Sequence, residues 1–207
     1  PMVRAILDGR KTQTRRIMKP QPTIDRRGLV SHHSLGGSFA EHVFGSCFVS
    51  LTPKPYAAVG DTLWVRETWA APHACDHLKP SEVPQGTGLH FAASEERGGL
   101  LWRPSIFMPR WASRLTLDVI AVRVERLQAI SEADARAEGV EPYTPPHGFI
   151  SPDQRVPGVG FDDARLGDQP HRLPFAHLWD SINGDRASWE SNPWVWVVEF
   201  TRAEVRK

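Results

Sequence analysis

The segment Arg114–Arg126 constrains the fold more than any other stretch of this chain. It alternates apolar and polar residues over thirteen positions and reads as a long strand. Leu115, Leu117, Val119, Ala121 and Val124 fall nearly on one face, with a register change near Val122 that reads as a bulge. Three further strands are predicted. Lys11–Ile17 is rich in β-branched and long residues and is ended by Pro20 and Pro22. Thr62–Trp69 follows the turn signal Gly60-Asp61, and Trp194–Phe200 comes late in the chain. Helices are shorter. Val3, Ile6 and Leu7 sit at helical spacing in Met2–Asp8, with Gly9 as a C-terminal cap. Ser131-Glu-Ala-Asp134 has capping-box spacing and opens a helix over Glu132–Glu138, stopped by Gly139. Leu173–Asn183 is amphipathic through Phe175, Leu178, Trp179 and Ile182, and Gly184 ends it. Strands separated by short helices, without a βαβ rhythm, predict an α+β mixed barrel over a doubly wound sheet.

Between these elements lie stretches with little periodicity. Residues 21–59 read as loop with one short element, residues 70–103 as an insertion on one edge, and the Pro- and Gly-rich 141–171 as a loop or lid. One domain over 2–207 is therefore expected, with insertions at about 21–55, 70–101 and 141–171. Hydrophobic residues at 40% and charged residues at 24% suit a globular chain with a real core. No apolar run approaches the roughly 18–20 residues of a membrane span, and no signal peptide is visible, so no membrane partner is expected. Cys47 and Cys75 do not make a disulfide framework, and a reducing, cytoplasmic setting is the simpler expectation. A net charge of +1 does not announce a nucleic-acid binder. Twenty arginines stand against five lysines, which suits phosphate clamping and base stacking and follows equally from a GC-rich genome.

Four segments carry a family resemblance. They are Gly9-Arg-Lys-Thr-Gln-Thr-Arg-Arg16, Val59-Gly-Asp-Thr-Leu-Trp-Val-Arg-Glu67, Leu127 to Gly139, and Asn192-Pro-Trp-Val-Trp-Val-Val-Glu-Phe200. In this order and spacing the chain resembles the ASCH superfamily, the first segment being similar to its G-x-K-T-x-T-x-R signature. Its length and Trp-rich strands are most similar to ASCH proteins of tailed phages and prophages. The resemblance implies a PUA-like mixed β-barrel with short flanking helices and long loop insertions, its cleft lined by the first motif. It also implies a chemistry, since small bacterial members hydrolyse the amide of N(4)-acetylcytidine with a Lys, a Thr three positions on and a Glu in the later helix. Here those roles fall on Lys11 as base, Thr14 as nucleophile and Glu138 as acid. The partner implied is a modified nucleoside or RNA, with no cofactor. A non-catalytic RNA-binding module and a metal-independent ribonuclease are the alternatives.

Amide hydrolysis needs a nucleophile, a base that takes its proton and an acid for the leaving amine. A lysine amine accepts a proton only in its neutral form, which burial or neighbouring cations favour. Arg10, Arg15 and Arg16 crowd Lys11 in sequence. Residues three apart on a regular strand face opposite sides. Lys11 and Thr14 therefore share a pocket only if Lys11 lies in the turn after Gly9 and the strand starts near Thr12. Further contacts are expected from Arg10, Arg16, Arg66, Glu67, Arg110 and Trp111. Arg66 and Glu67 leave their strand on opposite faces, so one of them points inward, where an ion pair or a ligand must meet its charge. Trp102-Arg103 and Arg110-Trp111 suit base stacking and phosphate contact on a loop, or a lid over the barrel. At least half of the eight tryptophans are expected in the core. His73-Ala-Cys75-Asp-His77 is too tightly spaced for a structural zinc site, and no metal is expected.

Overall fold

The computed structural model of the chain describes residues 2–24, 29–31, 40–42, 57–96, 98–142 and 170–203. Helix α1 spans Met2–Leu7 and ends where Gly9 takes φ +73°, a left-handed turn that glycine adopts without penalty. Strand β1 follows at Gln13–Ile17. Three short strands, β2 (Thr23–Ile24), β3 (Leu29–Ser31) and β4 (Ala40–His42), pair antiparallel in a small sheet. The 21–59 stretch thus holds more regular structure than its lack of periodicity predicts, because strands of two or three residues are too short to show a period. Next come β5 (Thr62–Trp64), β6 (Trp69–Ala70) and β7 (His90–Phe91), then the long β8 (Thr116–Arg126). Helices α2 (Glu132–Ala137) and α3 (Arg172–Asn183) precede β9 (Trp194–Arg202). Residues 143–169 of the expected lid lie outside the described residues.

The main sheet is antiparallel in the order β1-β9-β8-β5 and curls into a half-barrel, giving an α+β architecture. Strands β8 and β9 form its spine, in register from Leu117 opposite Arg202 to Arg126 opposite Trp194. The bulge falls between Val119 and Ala121, slightly before the expected position, and leaves Ile120 exposed. The predicted strand Thr62–Trp69 is split. Val65 still donates to Leu115 O, but the Ser113 hydroxyl donates to Val65 O and the chain then leaves β8. Trp69 pairs instead with Phe91 and bridges to Arg103, so β6 and β7 belong to the insertion. Ahead of β5, the Asp61 carboxylate accepts the Ala58 amide while Gly60 takes φ +90°, which makes the Gly-Asp turn.

The core is divided. Leu127, Ile130, Phe175, Trp179, Trp189, Val195 and Val197 bury α2 and α3 against one face of the sheet. Ile6 of α1 packs on Leu115, Leu117 and Phe200. The insertion has its own cluster of Trp69, Ala71, Val83, Met108 and Ala112. Arg103 anchors it, donating to the carbonyls of Cys75 and Leu78. Among the described residues no helix is long and apolar enough to cross a membrane.

Helix α2 is capped at both ends. The Ser131 hydroxyl accepts the Asp134 amide, and the helix closes at Gly139 with φ +80°. A Cβ at Gly139 would sit 2.7 Å from Lys11 Cβ and 2.9 Å from Ala5 Cβ. Gly139→Ala combines left-handed strain with this overlap and is expected to lower the unfolding free energy by at least about 2 kcal/mol. A urea midpoint equal to that of the parent chain would show that the close approach is not needed.

Candidate functional site

Lys11 sits just outside β1, in an isolated antiparallel bridge with Glu138 at the end of α2. The Thr12 amide donates to Ala137 O, and regular pairing with β9 begins at Gln13. Lys11 is therefore off the regular strand, as a pocket shared with Thr14 requires. Its Nζ donates to Glu138 Oε2 at 2.7 Å and to the carbonyls of Gln13 and Glu138, both at 2.8 Å. All three N–H bonds of an ammonium are spent. The side chains of Lys11 and Glu138 are only 10% and 5% exposed, so the pair is largely withdrawn from water.

Behind this pair lies a buried polar network. Arg15, whose side chain is fully buried, reaches the other oxygen of Glu138, Oε1, at 3.1 Å. Its Nε meets Glu125 Oε1 at 3.0 Å, its Nη2 also contacts that oxygen, and Asp134 Oδ2 lies 3.5 Å from Nη2. Gln13 accepts from Arg15 through Oε1 and donates through Nε2 to Asp134 and Glu199. Arg123 on β8 pairs with Glu125, Asp134 and Glu199. Burial works against the charge on Asp134, yet hydrogen bonds with Gln13 and Ser131 and the charges of Arg123 and Arg15 outweigh it. They hold that carboxyl below its ordinary range. Burial likewise opposes the charge on Arg123, and its three carboxylate neighbours overcome it.

The pair opens onto a cleft of about 580 Å³ lined by Lys11, Thr14, Arg16, Glu138, Trp64 and Arg66, among others. The two edge strands, β1 and β5, both line it, together with Leu117 of β8 and Phe200 of β9, so it lies against the sheet. Arg15 and Thr14 point to opposite sides of β1, and a cleft running along an edge strand receives both. Phe175, Leu178 and Trp179 of α3 and Ile6 of α1 give it apolar walls. Among the described residues the Thr14 hydroxyl has no hydrogen-bond partner, which leaves it available to a ligand.

The remaining expected contacts scatter. Arg16 and Arg66 line the cleft. Arg110 reaches its rim indirectly, packing on Trp64. Arg10 does not line it; that side chain pairs with Asp8 at 3.1 Å and with Glu141 at 2.6 Å on the outer surface. Glu67 is buried and accepts a bidentate pair from Arg114 at 2.8 and 3.0 Å, which is a structural ion pair. Trp111 packs into the insertion's own cluster, away from the cleft. The Trp102-Arg103 element is likewise internal, with Arg103 stacked 5.2 Å from the Trp69 ring. Of the tryptophans, Trp69, Trp179, Trp189 and Trp196 are buried. His73 pairs with Asp76 at 3.0 Å, and among the described residues no cluster of three or more His, Cys, Asp or Glu gathers to hold a metal.

Sequence reasoning missed the supporting network. Its one signal is polar residues at alternate positions, Gln13 with Arg15 on β1 and Arg123 with Glu125 on β8. Comparison with family models, with curated proteins and with solved structures gives no match.

The Asp134 carboxyl is held below its ordinary value of 3.8. Its contribution to stability is therefore complete above that pH and is lost as the pH falls through the folded value. Asp134→Asn is expected to be less stable than the parent chain at pH 7, and the gap should close as the pH drops below about 4. Urea midpoints across pH 3–7 measure this. A gap that stays constant would mean that the charge of Asp134 does not stabilise the fold.

Proposed function

We propose that this chain is an ASCH-type, PUA-like cytoplasmic amidohydrolase whose cleft removes the acyl group from an N(4)-acylated cytosine nucleoside or a related modified base. One observation carries the reading: an ammonium–carboxylate pair withdrawn from water, Lys11 with Glu138, shares a cleft with an unpartnered hydroxyl, Thr14. The apolar walls suit a base, and Arg16 and Arg66 line the same space.

The chemistry follows from the pair. An ammonium with three acceptors has no lone pair, so Lys11 must first pass a proton to Glu138 Oε2, the oxygen it already touches. Lys11 Nζ and Thr14 Oγ are not hydrogen-bonded in the resting protein, so the two must close up before the neutral amine takes the Thr14 proton as Thr14 Oγ attacks the acyl carbon. As the C–N bond breaks, Glu138 gives its proton to the departing exocyclic amine. The pair is thereby restored as ammonium and carboxylate, and Thr14 carries the acyl group as an ester. Water cleaves that ester, releasing the carboxylic acid and regenerating the hydroxyl.

A second reading is favoured by the same saturation of Lys11. If the pair never exchanges its proton, it is a strut, and the cleft with its Arg66–Trp64 rim recognises a nucleotide in RNA without reaction.

Incubation with N(4)-acetylcytidine, followed by chromatography for cytidine, separates the two. Lys11→Ala, Thr14→Ala and Glu138→Gln are each expected to lower kcat/KM by at least about a hundredfold, while Thr14→Ser retains turnover. Wild-type rates in Thr14→Ala would remove the nucleophile from the proposal. No turnover, with RNA retained in a salt-sensitive gel shift, supports the binding module. RNA fragments formed without added metal point to a ribonuclease.

A further inference from the structure

We propose that the mouth of the cleft carries a phosphate subsite made by Arg66 and Arg110, so that the molecule it takes is a nucleotide rather than a free nucleoside. The inference rests on the cleft's being a nucleoside site, but not on any reaction there. Trp64, the last residue of β5, lines the cleft. The Arg66 guanidinium lies 4.6 Å from its ring centroid and that of Arg110 lies 5.4 Å away. Packing on an indole holds a planar guanidinium by its face and leaves its N–H edge directed outward. Arg66 uses one N–H on the Ile106 carbonyl at 3.3 Å, which fixes the head further.

Charge accounting distinguishes these two arginines from the cations inside. Lys11, Arg15 and Arg123 each meet at least one carboxylate. Arg66 and Arg110 are exposed, and among the described residues neither meets any. Arg66 and Arg110 both pack on the Trp64 ring, and an anion reaching both guanidinium edges would offset their mutual repulsion. Guanidinium edges match phosphate oxygens bidentately. Phosphate is the anion that a nucleoside carries, and its attachment at the sugar places it toward solvent when the base enters the apolar interior.

The test is a set of binding measurements by calorimetry at fixed salt. The ligands are cytidine, cytidine 5′-monophosphate, cytidine 3′-monophosphate and a short single-stranded oligocytidylate. In the parent chain at least one phosphate-bearing ligand is expected to bind about tenfold or more tighter than cytidine. In the double variant Arg66→Gln/Arg110→Gln that ratio should fall toward one. A monophosphate as tight as the oligomer identifies a monoester substrate, and a tighter oligomer identifies a strand. Equal affinity for cytidine and for every phosphate-bearing ligand in the parent chain overturns the subsite, and so does a ratio that survives in the double variant. Failure to hydrolyse N(4)-acetylcytidine with the phosphate advantage intact overturns only the reaction. Hydrolysis without that advantage overturns only the subsite.

Discussion

The placement of the Lys11–Glu138 pair depends on one buried guanidinium. Arg15 lies on an edge strand, where unpaired backbone would ordinarily leave β1 loosely held. Its side chain instead binds Glu125 on β8, Asp134 on α2 and Glu138 at the end of α2. Removing a cation from water is costly, and the cost is met only when the ring of acceptors is complete. Gln13 completes it, accepting from Arg15 and donating to Asp134 and Glu199. The edge strand and the short helix are thereby locked together, and Glu138 has a fixed direction before Lys11 touches it.

Helix α2 has only six residues and would not be stable alone. Its ends are set by local chemistry, the Ser131 cap and the left-handed Gly139, and its position by the charges of Arg15 and Arg123. Gly139 also allows the backbone to approach Lys11 to within Cβ contact. The same residue thus ends the helix and admits the lysine.

The sheet and the helices were legible because each has a local signature. Alternation marks β8 and β9, the capping residues mark α2, and a 3.6-residue period marks α3. The split after Trp64 was not legible, since Thr62–Trp69 is uniformly strand-like and only the competing partners Ser113 and Phe91 decide where pairing changes. The arginine–tryptophan pairs show a deeper limit. Trp102-Arg103 and Arg110-Trp111 look alike in sequence, yet Arg103 is buried as the insertion's anchor and Arg110 is exposed at the rim. Composition cannot separate a stacked ligand contact from a stacked core contact, because the same cation–π geometry serves both. Glu138 shows no local signal for a site either. From its neighbours alone it is a helix end beside a glycine, and its closeness to Lys11 is a long-range fact.

The direction in which a proton can move in the site follows from how Glu138 is shared. Arg15 occupies Oε1 and Lys11 occupies Oε2, so only Oε2 can receive a proton without displacing a buried guanidinium. Transfer from Lys11 to Oε2 leaves the net charge of the network unchanged. It costs the attraction within one pair but buries no new charge. A lysine facing bulk water would instead exchange protons with solvent, and its state would follow the medium. Confinement by Gln13 O, Glu138 O and Glu138 Oε2 makes the carboxylate the nearest acceptor. The arrangement that makes Lys11 look inert in the resting protein is therefore also what would couple it to Glu138 in the proposed reaction.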